Sequence, residues 1–466
     1  MKTTSVLRTS ALLLALLGSA GVSHALDLLE VWQAAQSQDP QVAVSQAAAK
    51  AGAARREQSN ALWRPSVQLI VGGGVGLSES GSTGAHFAAP GQPASSGVDF
   101  NTSVQAGLSG RWVLSARKAL NSGERSAQGR QLELSADMAI LQLQADHNTL
   151  MLQTATRYLD VVLAHKSLAL LEHQHQAAQS AWVQAQDRFA LGDKPITDTH
   201  EARQRAMQLQ AQVLGAKSIL TLAQRVLAQS TGLPENKMQA NDLQPLAALA
   251  QQPSAPQLPT LEALQAQAQA RNIGLRLHLL RVEIAAQEIV KNATTSRGTL
   301  DLVANLGQDR ISGDGAYGNA SNSATQGLIG VQWTMPLFSG GMREARLQEA
   351  LHLRDQAQAE LEAAEQSTGQ SLLAAWLQQG NGPARLAALQ AAYDASVARL
   401  DATRLGLQVG ERNTLELLQA LNDAGSSALA LDQARHALLI GQLQLQALTR
   451  PLVPQDLSLA AEQWLR

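Results

Sequence analysis

The sequence predicts an α+β membrane fold, in which long antiparallel helices accompany four membrane-spanning β-strands per chain. Three observations predict it. One order of elements occurs twice along the 466 residues, at an offset that shrinks from 233 to 218 positions because the loops and helices of the first copy are longer. Each copy holds two stretches of period-two alternation, each about as long as a tilted strand needs to cross a bilayer. Each copy then holds two helical runs almost free of breakers, joined by a tight glycine turn. The copies align residue by residue. Leu28 to Val71 lies over Leu261 to Ala304, and Leu191-Gly192-Asp193 over Val409-Gly410-Glu411. A duplication of this kind makes the repeat, rather than the whole chain, the unit to be read.

Composition limits the alternatives. Charged residues are 16% and aromatics 3%, while Ala, Gln and Leu dominate. That suits long helices packed through small side chains better than a compact globule with aromatic bulk in its core. The formal net charge of -2 gives no footprint for a nucleic-acid partner. The absence of cysteine excludes a disulfide framework, a thiol nucleophile and a lipidated N-terminal cysteine.

Residues 1–25 read as a secretory signal peptide. Lys2 and Arg8 supply the positive region, Ala11 to Leu17 the short apolar run, and Ser23-His24-Ala25 the cleavage site. The first repeat spans 26–234. Leu28, Val31, Trp32 and Ala35 fall at helical spacing over Asp27 to Gln38. Asp39-Pro40 breaks that helix and opens the next, which runs to about Leu62. The first strand is expected over about 66–77, with Val67, Leu69, Val71, Val75 and Leu77 on one face. The second is expected over about 99–113, where Phe100, Val104, Ala106, Leu108 and Trp112 alternate with Asn101, Ser103, Gln105, Ser109 and Arg111. The Gly/Ser-rich segment Ser78 to Gly97 between them reads as an exposed loop. A helix from Ala116 to Phe189 and a partner from Ile196 to about Thr231 form a hairpin with its tip at 191–198.

Residues 235–260 read as a linker, ending in Pro253 to Pro259. The second repeat spans 261–451. It has short helices from Leu261 and Ile273, strands over about 299–309 and 326–337, and a loop over Arg310 to Ala324. Its hairpin is formed by Met342 to Leu407 and Thr414 to Leu448, with the tip at 408–416. Gly380-Asn381-Gly382-Pro383 is expected to break the first of these helices. Residues 452–466 form a C-terminal tail.

Four strands make an open sheet with two edges. In hydrocarbon each unpaired N–H or C=O costs several kcal/mol, and the smallest closed membrane barrels have about eight strands. Several chains must therefore share one barrel, and three would supply twelve strands. The helices are too polar to form a buried core, so they are expected to pack side by side in a sheath.

Thr154-Ala155-Thr156-Arg157-Tyr158-Leu159-Asp160-Val161-Val162-Leu163-Ala164 carries a resemblance to a known family. So do Arg188-Phe189-Ala190-Leu191-Gly192 with Ile196-Thr197-Asp198, and Pro336-Leu337-Phe338-Ser339-Gly340-Gly341. In their order, spacing and duplication these residues resemble the TolC family of outer-membrane channels over nearly the whole mature chain. The resemblance implies a homotrimer with a twelve-stranded barrel in outer-membrane lipid and a periplasmic α-barrel. It also implies a periplasmic adaptor protein and an inner-membrane pump, either an ABC transporter or a proton-driven one. The implied cargo is proteins or small toxic compounds. No cofactor, metal or catalytic residue is implied.

The resemblance further makes the hairpin tips the periplasmic gate. Arg412 matches an arginine that links to a Thr-Asp pair, here Thr197 and Asp198. Glu416 matches the first of two acidic rings, and Gln419 stands where the second would be. Leu407 stands where the family can carry a tyrosine. Phe189, Leu191, Gly192, Leu407, Val409 and Gly410 are the expected adaptor-docking positions.

The alternative from another class is a non-conducting trimeric scaffold or adhesin, anchored by the same shared barrel but needing no gate. An enzyme has little support. His173 and His175 stand two apart on a helix and face different ways. The glycine run Gly72-Gly73-Gly74-Val75-Gly76 continues an alternating strand and opens no helix, unlike a phosphate loop.

Overall fold

In a computed structural model, residues 26–193, 195–239, 258–315 and 318–464 are described; the signal-peptide reading and most of the expected linker lie outside them. Two short helices come first, α1 (Leu28–Gln38) and α2 (Pro40–Ala61). A hairpin of strands β1 (Ser66–Phe87) and β2 (Ser95–Ser122) follows, then the long helices α3 (Gly123–Ala190) and α4 (Ile196–Thr231). The second copy gives α5 (Leu261–Arg271), α6 (Ile273–Thr294), β3 (Thr299–Gly315), β4 (Gly318–Thr334), α7 (Met342–Gln408) and α8 (Thr414–Thr449). A last helix, α9 (Pro454–Trp464), lies in the stretch read as a tail.

The chain divides into two compact units that do not follow the two copies. One holds residues 1–49, 141–277 and 362–466; the other holds 50–140 and 278–361. Each unit draws on both repeats.

The unit with the sheet is antiparallel throughout, in the order β1-β2-β3-β4. Register puts Leu69, Leu114 and Leu306 in one row and Val67, Ala116, Ala304 and Ile329 in the next row of the same face. That face carries most of the exposed apolar side chains, among them Val67, Leu69, Val71, Val75, Leu108, Ile329, Val331 and Trp333, while Ile70 and Leu328 lie on the other. The other face carries ion pairs. Arg111 Nε stands 3.3 Å from Asp309 across β2 and β3, and Arg117 stands 2.5 Å from Asp301, whose side chain is fully buried. Arg125, in the first turn of α3, adds a second guanidinium 3.9 Å from Asp301.

The apolar band crosses the rows obliquely. In the row of Val75 and Leu108, β3 and β4 already present Ser312 and Ser321. Toward the helical end Leu302 still pairs with Val331, whereas β2 presents Lys118 in that row.

Three expectations are corrected here. Ser78 to Gly97 and Arg310 to Ala324 are not simple loops, because β1, β2, β3 and β4 run far into both. On β1 apolar alternation ends at Leu77, before the ladder does: Ser80 still pairs with Thr102 and Gly81 with Asn101. The helix expected from Ala116 begins at Gly123, because β2 runs on to Ser122, paired with Thr299. The break expected at Gly380–Pro383 does not occur, and α7 is continuous with Pro383 inside it. Gln378 and Gln379 donate from Nε2 to the carbonyls of Ala437 and Leu438 on α8, each at 2.8 Å. A Cβ at Gly382 would collide with Leu438. Gly382 thus serves close approach of two helices, and the packing outweighs the donor that Pro383 lacks.

In the other unit the core is built around α3. Leu159, Val161 and Tyr158 are buried with Leu28, Val31 and Trp32 of α1, Leu227 of α4, Leu439 and Leu443 of α8, and Leu457 of α9. The Tyr158 hydroxyl donates to the Leu26 carbonyl at 2.8 Å. Asn272 separates α5 from α6, accepting from the Leu275 N–H at 3.0 Å and donating to the Leu448 carbonyl at 2.9 Å. The guanidinium of Arg450 holds Asp456 bidentately at 2.8 and 2.6 Å, fixing the start of α9. Burial pushes the Asp456 carboxyl up. Hydrogen bonds from Arg450 and the Val453 N–H, with the Arg450 charge, outweigh this and hold it below its ordinary value.

Candidate functional site: the two hairpin tips

Both tips end a long helix in the same way. At the first, Gly192 adopts φ +76, the Asp193 N–H donates to the Arg188 carbonyl at 2.9 Å, and the Gly192 N–H donates to Phe189 at 2.9 Å. At the second, Gly410 adopts φ +82, Glu411 N–H donates to Gly406 at 2.9 Å, and Gly410 N–H donates to Leu407 at 3.3 Å. This is a Schellman motif in each copy, which satisfies the last carbonyls of the helix and needs a residue without Cβ at the left-handed position. The duplication seen in the sequence is therefore repeated hydrogen bond by hydrogen bond.

The starts of the partner helices differ. α4 is preceded by Pro195, which offers no side-chain cap. α8 is preceded by Asn413, whose Oδ1 accepts from the Glu416 N–H at 2.8 Å, while Glu416 Oε2 accepts from the Asn413 N–H at 3.2 Å. That reciprocal capping box satisfies two donors the helix would otherwise leave open. Asp198 occupies in α4 the position Glu416 occupies in α8, and its carboxylate has no such partner.

Arg412 and Glu416 meet at 3.6 Å, both exposed. The Arg412 side chain lies over Gly406, where any Cβ would meet its Cγ. Thr197 is exposed and Asp198 half-buried. Within this chain the structure brings Arg412 to Glu416, not to Thr197 or Asp198. Gln419 is exposed one turn beyond Glu416 on α8. One turn further, Asp423 is paired with Arg399 of α7.

Sequence reasoning passed over Asn413, Gly406 and the Arg399–Asp423 pair. Asn413-Thr414-Leu415-Glu416 carries a readable capping signal. The Arg399–Asp423 pair joins two helices and leaves no local sequence mark.

Apolar side chains crowd both tips in the open. Leu191 is 83% exposed and Val409 66%, with Phe189, Ile196, Leu405 and Leu415 also exposed. Behind them the helices close on small residues. Ala178, Ala181, Ala206, Leu209 and Leu418 form one buried cluster, and Leu400, Ala420, Leu421 and Ala424 another. A Cβ at Gly425 would collide with Gln174, so α8 lies tight on α3 here.

A duplicated helical hairpin with the same glycine turn at each tip, in one chain with a four-stranded sheet that is mainly apolar on one face, defines a class of membrane channel components. The chain belongs to the outer membrane efflux protein family, whose model matches residues 31–233 and 264–449, one segment for each copy. It is 26% identical over 453 residues to the outer membrane protein TolC of Escherichia coli (strain K12), spanning 95% of this chain and 86% of that protein. To the proteases secretion protein PrtF of Dickeya chrysanthemi it is 27% identical over 333 residues, 72% of this chain and 70% of that one. In fold it is similar to the CmeC outer membrane channel of Campylobacter jejuni, with a TM-score of 0.72 at 14% identity over 91% of this chain and 85% of that one. Membership makes the chain an outer-membrane channel protein of export and efflux, with its helical part in the periplasm. Among the described residues no helix is long and apolar enough to cross a membrane.

Proposed function

We propose that three copies of this chain share one twelve-stranded barrel and line one periplasmic conduit, through which an inner-membrane pump and its adaptor drive export. The observation that carries this reading is the sheet. β1 and β4 are edge strands among the described residues, and an open edge is untenable in lipid. The oblique apolar band suits strands tilted roughly 35–45° across a membrane, with the paired charges Arg111–Asp309 and Arg117–Asp301 turned toward a wet lumen.

The tips are the gate in this reading. Arg412 leaves Glu416 and engages Thr197 and Asp198 in the closed assembly. Exposed pairs of this kind contribute only ~0–1 kcal/mol, so exchanging one for another is nearly free and an adaptor can reverse it. The exposed Phe189, Leu191 and Val409 and the half-buried Leu407, with the turn glycines Gly192 and Gly410, are where the adaptor docks. Glu416 sets a ring of three carboxylates at the entrance, and Gln419 leaves a second ring unmade, so cation selectivity is modest. The name of PrtF, a protease secretion protein, supports a polypeptide among the cargo; small toxic compounds remain the other class.

Planar-bilayer recording of the purified protein tests the reading. Discrete single-channel currents are expected. Their absence in the wild type and in Arg412→Ala alike would return the chain to the scaffold or adhesin class.

A further inference from the structure

The two faces of the sheet treat their charges differently. On the ion-paired face Arg111 and Arg117 each have a carboxylate, and Arg125 of α3 shares the second of these. On the apolar face Arg310 is exposed and has no ion pair among the described residues. It sits in β3 on the face of Leu300, Leu302 and Leu306, four positions beyond the last of them, toward the end away from the helices. The next carboxylate on that face of β3 is Asp314, a further ~13 Å along the strand.

Position gives this arginine a specific environment. At ~3.3 Å per residue and a tilt of roughly 45°, Arg310 stands about 23 Å above Leu300, close to the height of an outer-membrane apolar band. That is headgroup level in the outer leaflet. Its row neighbours are Gly110 on β2 and Ser323 on β4, and the row continues to Gly73 on β1. A Cβ at Gly110 would meet nothing within 4 Å, so the surface beside Arg310 is open. Gln308, Ser312, Ser321 and Thr325 stand in the adjoining rows of the same face. Val71 and Trp112 lie in the row on the membrane side.

We propose that Arg310, with the hydroxyls around it and the cleft over Gly73 and Gly110, binds the phosphate of an outer-leaflet lipid headgroup. The proposal rests on the barrel reading above. An unpaired guanidinium at a lipid interface has no carboxylate to neutralise it. Its planar fork matches a phosphate bidentately, and such charge-assisted bonds are about twice as strong as neutral ones. The glycine cleft lets the headgroup sit against the sheet while acyl chains run down over Val71 and Trp112.

The test is native mass spectrometry of the full-length, delipidated protein titrated with lipid A, a bisphosphorylated acylated disaccharide. Wild type is expected to retain it. Arg310→Gln should weaken retention by about tenfold, the loss of one charge-assisted contact. Arg310→Lys should fall between, and Arg111→Gln, on the opposite face, should match wild type. Dephosphorylated lipid A should bind wild type as weakly as lipid A binds Arg310→Gln. Equal retention by Arg310→Gln, equal binding of the dephosphorylated lipid, or displacement of lipid A by inorganic phosphate would each overturn the site. The same preparations are recorded in planar bilayers. Normal currents with unchanged lipid retention sink this proposal alone, whereas absent currents sink the channel reading beneath it.

Discussion

The two hairpin tips end their first helices identically and begin their second helices differently. Gly192 and Gly410 close the same hydrogen-bonded turn. Asn413 then caps α8 with Glu416, while Pro195 gives α4 no side-chain cap and Asp198 no capping partner. The shared part is what geometry demands of any tight turn after a long helix. The unshared part is where duplication left freedom. At one tip Arg412 is held only by an exposed pair with Glu416; at the other the Asp198 carboxylate has no ion pair among the described residues. Complementary charge of this sort is what a link between repeats requires.

Several changes would break or sharpen that contrast, the largest first. A buried pair gives the reference for the exposed ones. Asp456→Asn should cost about 2–3 kcal/mol, because Arg450 loses a charged partner in a half-buried setting, and thermal unfolding reads it. The sign in pH follows from the depressed Asp456 pKa. Its contribution is full above the unfolded carboxylate's value and is lost as pH falls below about 4 and through the folded one. Added salt should barely change it, whereas the Arg412–Glu416 pair at the wet tip should be screened.

Gly192→Val and Gly410→Val come next. Each forces a β-branched residue into left-handed backbone and should cost roughly 1–2 kcal/mol. The two costs should be equal if the turns are truly equivalent, as hydrogen exchange of the flanking amides would show.

The caps should then separate the tips. Asn413→Ala is expected to lose about 1 kcal/mol of local stability at the start of α8. Pro195→Asn should instead gain a few tenths to ~1 kcal/mol at α4, because Asp198 then becomes a capping partner. Opposite signs are the expected result. Equal signs would mean the starts do not differ as described.

Much of the fold is legible in the sequence. Helical spacing and flanking breakers mark α1, α5 and α6, and the turn glycines mark both tips. Pro454 ahead of Leu457 and Ala460 is a start signal for α9, hidden by its place in an apparent tail. What sequence hides is physical. Hydropathy alternation reports the lipid-facing part of a strand only, so the ladder through Ser80, Gly81 and Ser82 of β1 leaves no pattern. Gly380 to Pro383 reads as a breaker when each residue is weighed alone, but Leu438 packs onto Gly382 and the helix holds. The partner of Arg412 is a matter of side-chain conformation: sequence places the residues at the tips but does not choose between Glu416 and Asp198.

Single-channel conductance of Arg412→Ala, recorded beside wild type and Asn413→Ala, tests the gate most directly. Arg412→Ala should raise conductance several-fold with little change in thermal stability, while Asn413→Ala, which loosens only the cap, should leave conductance near that of wild type. An Arg412→Ala channel indistinguishable from wild type would contradict the account.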